Sequence, residues 1–153
     1  MRGYASLEAT FGAGPQLVWG PNAAGKTSLV EAIVLLAWGR SHRTSADAEI
    51  IRWGTDLARI EGVVQPEPGD PAGDRGPDTI EVALSRAGVA GSRKRIRVNG
   101  VGRRADGLVG LLRTVVFAPE EMLLVAGSPG LRRASLDALA GQRSAAYLRD
   151  LSA

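Results

Sequence analysis

The stretch from Gly20 to Ser28, GPNAAGKTS, limits the possible folds of this chain more than any other. It matches G-x-x-x-x-G-K-[ST] at every fixed position, the pattern of a phosphate-binding loop (P-loop). The run QLVW before the loop has strand character, and SLVEAIVLLAW after it has the apolar spacing of a helix. Strand, loop and helix in this order are the context that confirms the motif. The segment therefore predicts an α/β fold that binds a nucleotide.

Each fixed residue of the loop has a physical role in this interpretation. Gly20 lets the chain turn off the strand, and Gly25 lets backbone N–H groups crowd around phosphate oxygens. These amides and the helix N-terminus form a nest for an anion. Lys26 is expected to reach the β- and γ-phosphates, and the Thr27 hydroxyl to hold Mg²⁺. The predicted binding residues are Gly20, Pro21, Asn22, Ala23, Ala24, Gly25, Lys26, Thr27 and Ser28. The alternative is a glycine-rich turn before an ordinary helix.

Several residue types that carry chemistry are rare or absent. The 153 residues include no cysteine, which excludes disulfides, thiolate metal sites and cysteine catalysis. A single histidine, His42, excludes a metal cluster built from histidines and argues against a Ser-His triad. The longest apolar run, residues 32–38, is far too short to span a membrane, and the first residues do not resemble a signal peptide. We therefore expect one cytoplasmic globular domain.

The charge is compatible with an anionic partner but does not prove one. The formal net charge is +3, and all but two of the 19 lysine and arginine residues are arginine. Guanidinium groups pair with phosphates bidentately. A mildly basic protein with a solvated surface would show the same balance.

The rest of the chain alternates between strand and helix patterns. Alternation or short apolar runs predict strands at residues 6–11, 16–19, 57–65, 79–86, 93–100 and 113–119. Helices are predicted at residues 28–38, in a short segment capped by Ser45, at residues 107–112, and from Pro129 onward. Residues 66–78 hold four of the eight prolines and are predicted to form a mobile loop. The predicted architecture is α/β: a mixed sheet around the P-loop helix, an antiparallel patch and a closing helix.

Longer stretches resemble a known family. The P-loop with VEAIVLLAWGRSHRTS behind it, then EIIRWGTDLA, then VVFAPEEMLLVAGSPGLRRASLD, is similar to the RecF family of DNA replication and repair proteins. These are ABC-type P-loop ATPases related to Rad50 and the SMC proteins. The resemblance covers residues 2–151 and is most specific at residues 119–137, beside the family pattern P-E-D-L-x-L-V-x-G-x-P-x-x-R-R-x-F-L-D.

The resemblance implies a function. It implies ATP and Mg²⁺ as cofactors, DNA as a partner at single-strand/double-strand junctions, and a homodimer that forms around ATP. It further implies that the protein helps RecO and RecR to load recombinase at gaps. The alternatives are another P-loop protein, such as a transporter ATPase subunit or a small kinase, or a lobe without activity of its own. A transporter subunit would need a membrane partner, and a kinase would need an acceptor site and a lid.

The chain departs from the family pattern at several positions. Ala23 replaces a second glycine in the loop, Glu121 an aspartate and Ser135 an aromatic residue. The strand that the family places before the segment matching Arg2 to Tyr4 is missing. TVVFAPEE imitates a Walker B strand, but Ala118 and Pro119 separate the apolar run from the acids. LAGQR, residues 139–143, echoes a signature loop but reads better as core helix. We therefore expect an incomplete RecF-type lobe over residues 1–153, a gene fragment that holds ATP without cutting it, with no catalytic residue.

Other candidate sites rest on weaker patterns. Residues 41–44, SHRT, form either a loop that senses DNA or nucleotide, or a helix-exit cap. Alternation puts Arg93, Arg95 and Arg97 on one strand face, where they either contact a phosphate backbone or are solvated. With Arg43 they are the DNA-binding candidates. Glu120 is a candidate sensor of the γ-phosphate by position. The three tryptophans, Trp19, Trp38 and Trp53, are expected in the core.

Overall fold

The computed structural model describes residues 1–66, 76–86, 94–117 and 128–144, together with residues 147, 150 and 151. Helix α1 is Lys26–Trp38 and α2 is Pro129–Arg143. Strands β1 to β4 are Leu57–Val64, Asp78–Ser85, Lys94–Val98 and Val101–Arg103. Two short 3₁₀ turns, Asp47–Glu49 and Ala105–Leu108, lie between these elements.

The strands form one antiparallel sheet in the order β1-β2-β3-β4. Alternate side chains of β2 and β3, including Ile80, Val82 and Ile96, are buried, whereas the other face of the sheet is open. One buried face fixes the register, because a slip by one residue would turn these side chains toward solvent. Asn99 and Gly100, both with positive φ, form the tight turn from β3 to β4. This N-G signal was in the sequence, but β4 was not predicted.

Helix α1 packs across the buried face of the sheet. Its residues Val34 to Ala37 are buried, and two of them, Leu35 and Leu36, share one core cluster with the strands and with Ile50 and Ile51 of the loop before β1. Gly62 permits the close approach of β1, because a Cβ there would lie 2.7 Å from Leu36 Cδ1. The helix ends at Gly39, which has a left-handed φ of 65°. The core thus fixes the axis of the helix whose first turn belongs to the P-loop.

The α/β class, the β2–β3 hairpin and the antiparallel patch are confirmed. The mixed sheet is not seen among the described strands, which all pair antiparallel. Three expected strands are not formed in the described part of the chain: residues 6–11, residues 16–19, and residues 113–117 of the strand predicted at 113–119 are unpaired. A strand needs a neighbour for its N–H and C=O groups, and no described segment pairs with these three. Trp19 is therefore 84% exposed instead of buried. Trp53 is also exposed, at 92%, and only Trp38 is partly buried.

The helix predictions were partly correct. Helix α2 is confirmed as far as Arg143, but the segments expected after Ser45 and at residues 107–112 are only 3₁₀ turns. No side chain caps the first of these turns, and the residue before it is Ala46. Most of the predicted 66–78 loop lies outside the described residues. Among the residues that the structure describes, no helix is long and apolar enough to cross a membrane.

Candidate nucleotide-binding site

The P-loop is bent by backbone conformations that favour glycine. Gly20 has φ 152° and Gly25 has φ 96°, and between them Ala23 has φ 64°. A residue with a Cβ is strained in the left-handed region, so the alanine that replaces the usual glycine is held at a cost. The Ala24 N–H donates to the Pro21 carbonyl at 3.3 Å, which closes a turn inside the loop.

Tyr4 supports the loop from one side. Its hydroxyl donates to the Ala24 carbonyl at 3.3 Å. A Cβ on Gly25 would lie 2.6 Å from the Tyr4 ring, closer than real Cβ contacts allow. Gly25 is therefore required both for its φ and for this approach.

The charged side of the loop is built from Lys26 and the N-terminus of α1. The Lys26 ammonium donates to the carbonyls of Gly20 at 2.7 Å and Pro21 at 2.8 Å, which places it over the loop. The first turn of α1 contains no acidic residue and has no side-chain cap. Its free N–H groups and partial positive charge are consequently not neutralised by the helix itself.

These donors fit a nucleoside triphosphate with Mg²⁺. Residues 20–28 supply backbone N–H groups, one ammonium, and the exposed hydroxyl of Thr27 in the first helical turn. An oxygen ligand of this kind suits Mg²⁺, which keeps much of its remaining coordination for water and phosphate. Elsewhere among the described residues, no group of three or more His, Asp or Glu side chains is arranged to hold a metal ion.

A buried carboxylate, which the sequence analysis missed, lies five residues beyond Lys26 on α1. Glu31 is completely buried. Arg2 donates to it bidentately, with two contacts of 2.9 Å, and the Ser41 hydroxyl donates at 2.5 Å. Arg43 adds an ion pair at 3.5 Å. We name this group the Glu31 cluster: Arg2, Glu31, Ser41 and Arg43. A lone acid inside the apolar run VEAIVLLAW was the available signal, because a buried charge needs partners.

The electrostatics of the Glu31 cluster favour the ionised acid. Burial alone would raise the pKa of Glu31, but the hydrogen bonds from Arg2 and Ser41 and the charges of Arg2 and Arg43 hold that pKa below its ordinary value of 4.5. Hydrogen bonding to Glu31 raises the pKa of Arg2 in turn. The cluster connects the first residues of the chain and the SHRT loop to the P-loop helix.

The SHRT loop serves as a helix exit and also borders a cleft. The Ser41 hydroxyl oxygen accepts from the N–H groups of Arg43 at 3.0 Å and Thr44 at 3.3 Å, which supports the capping interpretation. Beside it is a cleft of about 640 Å³. Its walls are Trp38, Arg40, Ser41, His42, Arg43, Thr44, Ser45, Asp47 and Lys94. Arg43 therefore both joins the Glu31 cluster and faces this cleft.

The remaining DNA-binding candidates lie on the open face of the sheet. Arg95 and Arg97 share it, opposite the buried Ile96 and Val98, so the predicted alternation is confirmed for these two. The face is not purely basic. Glu81 pairs in register with Arg97, and Arg59 bonds to Glu81 at 3.0 Å.

Two candidates and part of the imitated Walker B segment lie outside the part of the chain that the structure describes. Arg93 and Glu120 lie outside the described residues. Thr114, at the start of TVVFAPEE, is held by Gln142 of α2, whose side-chain amide bonds to both its N–H at 2.6 Å and its carbonyl at 3.0 Å. LAGQR thus lies in helix α2, as expected, and Gln142 in it also contacts Thr114.

The chain was compared with protein families and with individual known proteins, and the matches agree with one another. The AAA domain family matches residues 1–108. The DNA replication and repair protein RecF of Halalkalibacterium halodurans is 40% identical over 152 residues, and that of Limosilactobacillus fermentum is 43% identical over 152. Each alignment covers 99% of this chain but only 38% of the relative. The chain therefore spans less than two fifths of the length of these relatives.

Solved structures agree. The recombination mediator protein RecF of the RecFOR pathway, in complex with ATP, matches with a TM-score of 0.70 and 33% identity, covering 85% of this chain and 32% of that one. A RecF complex with an ATP analogue gives 0.71 and 32%, covering 87% and 33%. An SMC ATPase matches with a TM-score of 0.60 at 19% identity, covering 84% and 86%, and supports the fold alone. Its sequence and fold are similar to those of RecF proteins, and the chain belongs to the AAA domain family.

Proposed function

We propose that this chain binds Mg·ATP at residues 20–28 and acts within a RecF-type DNA repair and recombination mediator. In this proposal the mediator binds DNA at single-strand/double-strand junctions, dimerises around ATP, and helps RecO and RecR to load recombinase. The observation that carries it is the P-loop, whose Lys26 ammonium lies over a loop bent by Gly20 and Gly25. The ATP complexes of RecF support the choice of nucleotide. Mg²⁺ would be held by Thr27.

The DNA part of the proposal rests on the arginines. Arg43 is anchored at a cleft, and Arg95 and Arg97 extend from one sheet face. These groups suit phosphates and carry no sequence preference by themselves. The choice of RecO and RecR as partners is supported by the RecFOR pathway to which the two solved RecF proteins belong.

Replacing Lys26 tests the nucleotide site. We expect Lys26→Ala to weaken Mg·ATP binding by at least tenfold, because it removes the charged donor nearest the phosphates. Isothermal titration calorimetry of both proteins measures this. Arg52→Ala, which removes an exposed cation elsewhere, is the control and should bind as the wild type does. Equal affinities of Lys26→Ala and wild type would refute the phosphate role of Lys26.

A further inference from the structure

The cleft at the end of α1, here named the exit cleft, combines cations with an aromatic side chain. It is lined by Trp38, Arg40, His42, Arg43, three hydroxyl-bearing residues, Asp47 and Lys94. We propose that the exit cleft binds a nucleotide unit, with the phosphate at Arg40 and Arg43 and the base against Trp38. The unit comes from single-stranded DNA or from a free nucleotide. The proposal deepens the DNA-binding part of the proposed function and rests on it for the first source.

Counting charges shows that the exit cleft favours an anion. Lys94 forms an ion pair with Asp47 at 2.9 Å, so these two charges compensate. Glu31, behind the cleft, is compensated by the bidentate contact from Arg2. The charges of Arg40 and Arg43 then remain as a surplus of two. A phosphodiester brings one negative charge, and a terminal phosphate brings up to two.

Arg43 is positioned before any ligand arrives. Its guanidinium contacts the buried Glu31 at 3.5 Å, and its backbone N–H is held by the Ser41 hydroxyl at 3.0 Å. Ser41 is itself fixed to Glu31. Yet 43% of the Arg43 side chain is exposed, which leaves part of the guanidinium fork for a phosphate. A side chain that is already held loses less entropy on binding.

The other side of the exit cleft suits a base. Trp38, at the end of α1, is partly buried and lines the cleft, so its side chain is more restricted than that of a fully exposed tryptophan. Stacking on such a ring tolerates any base. The Nδ1 atom of His42 is buried and has no hydrogen-bond partner among the described residues. A hydrogen bond between this atom and a ligand is therefore expected to be favourable. A cleft of about 640 Å³ is within the usual size range of small-molecule sites.

The positions of the tryptophans allow a direct experiment on the full chain. Trp19 and Trp53 are 84% and 92% exposed, so Trp19→Phe with Trp53→Phe leaves Trp38 as the sole tryptophan without disturbing the core. This variant is titrated with an unlabelled oligo(dT) at low salt while its fluorescence is recorded. Binding of the same oligonucleotide, labelled at one end, is followed separately by anisotropy. Arg43→Ala and the charge-matched Arg52→Ala are made in the same background, and thermal unfolding confirms that both fold.

We expect oligo(dT) to quench Trp38, Arg43→Ala to weaken binding by about tenfold or more, and Arg52→Ala to change it by less than about threefold. Thymidine monophosphate, tested with Lys26→Ala added so that the P-loop does not contribute, separates the two sources. If it quenches as strongly at similar concentration, the ligand is a free nucleotide.

Other results overturn the proposal. Oligonucleotide binding without quenching and without an effect of Arg43→Ala would place DNA elsewhere on the chain, and the proposed DNA-binding function would survive. If neither oligo(dT) nor thymidine monophosphate binds, the proposal that the exit cleft binds a nucleotide unit is refuted. The absence of oligonucleotide binding would also refute the DNA part of the proposed function. Competition by inorganic phosphate alone, with no change at Trp38, would refute the contact with a base.

Discussion

Ala23 and Glu31 show how single residues determine the shape and the support of the nucleotide site. Ala23 adopts φ 64°, a conformation that the usual glycine adopts without strain. The family resemblance identified this departure, because ABC-type loops usually carry a second glycine at the position of Ala23. Glu31 was missed, because its role depends on Arg2 and Ser41, which are 29 and 10 residues away along the chain. Local patterns report backbone demands, whereas a buried charge cluster is visible only once the chain has folded.

Replacing Ala23 by glycine should stabilise the protein. The change relieves a left-handed conformation of a residue with a Cβ, which we expect to outweigh the added freedom of the unfolded chain by about 1 kcal/mol. For a chain of this size this corresponds to an increase in Tm of roughly 2–4 °C. Differential scanning calorimetry measures it. The neighbouring Ala24→Gly, at a position without positive φ, should lower Tm; a larger increase from Ala24→Gly would contradict the argument.

Replacing Glu31 by glutamine should change the response to acid. The folded-state pKa of Glu31 lies below 4.5, so its ionised form contributes stability above that pH and loses it as pH falls through the folded value. Glu31→Gln should cost about 3 kcal/mol near neutral pH, because Arg2 then lacks its charged partner. The deficit relative to wild type should shrink as pH falls from about 7 to about 3.5.

Urea unfolding at several pH values measures this deficit. Glu61→Gln is the control, since its pair with Arg59 is exposed and contributes at most about 1 kcal/mol. A deficit for Glu31→Gln that stays constant with pH would mean that folding does not shift the pKa of this carboxyl, and would contradict the lowered folded-state pKa.

At the scale of elements, the sequence predicts what local periodicity controls. Helix α1 and strands β1, β2 and β3 carry clear patterns, and each was placed within one or two residues. The predictions of strands at residues 16–19 and 113–117 were wrong. Both segments are apolar, as strands often are, but pairing with a neighbour is not determined by the local sequence. A strand inside a sheet depends on neighbours distant in sequence, which a window of eight residues does not contain. The exposure of Leu17 and Phe117, 86% and 87%, is the physical result.

Strand β3 allows a test of the basic sheet face. If Arg95 and Arg97 contact DNA phosphates, replacing both by alanine should reduce the slope of log K against log salt by about 1.8, at roughly 0.9 for each contact on duplex DNA. Fluorescence anisotropy with one labelled duplex over a range of salt concentrations gives the slope. Arg52→Ala should leave it unchanged. An unaltered slope in the double variant would mean that both arginines are solvated and do not contact DNA. The acidic neighbour Glu81 makes such a result physically reasonable.

At the scale of the whole molecule, holding a nucleotide and hydrolysing it depend on different parts. The loop, Lys26 and Thr27 come from one continuous stretch around the start of α1, so a local motif predicts them together. Hydrolysis also requires a metal-holding acid, a positioned water and groups that stabilise the transferred charge. None of the 153 residues forms an apolar run ending in Asp-Glu or a loop of LSGGQ type. Thr114, where the imitated Walker B run begins, is instead bonded to Gln142 of α2.

We therefore predict that the purified chain of 153 residues shows no measurable ATP turnover, even at high concentration. Phosphoryl transfer is catalysed mainly by positioning and electrostatics, and each missing group costs a factor of about 10³ or more. Dimerisation does not restore activity, because two copies of the same chain lack the same groups. A phosphate-release assay with Mg·ATP, with Lys26→Ala as the background, measures it. Turnover above that background would show that Glu120 or Glu121 acts as the catalytic acid, and TVVFAPEE would then be a working Walker B segment.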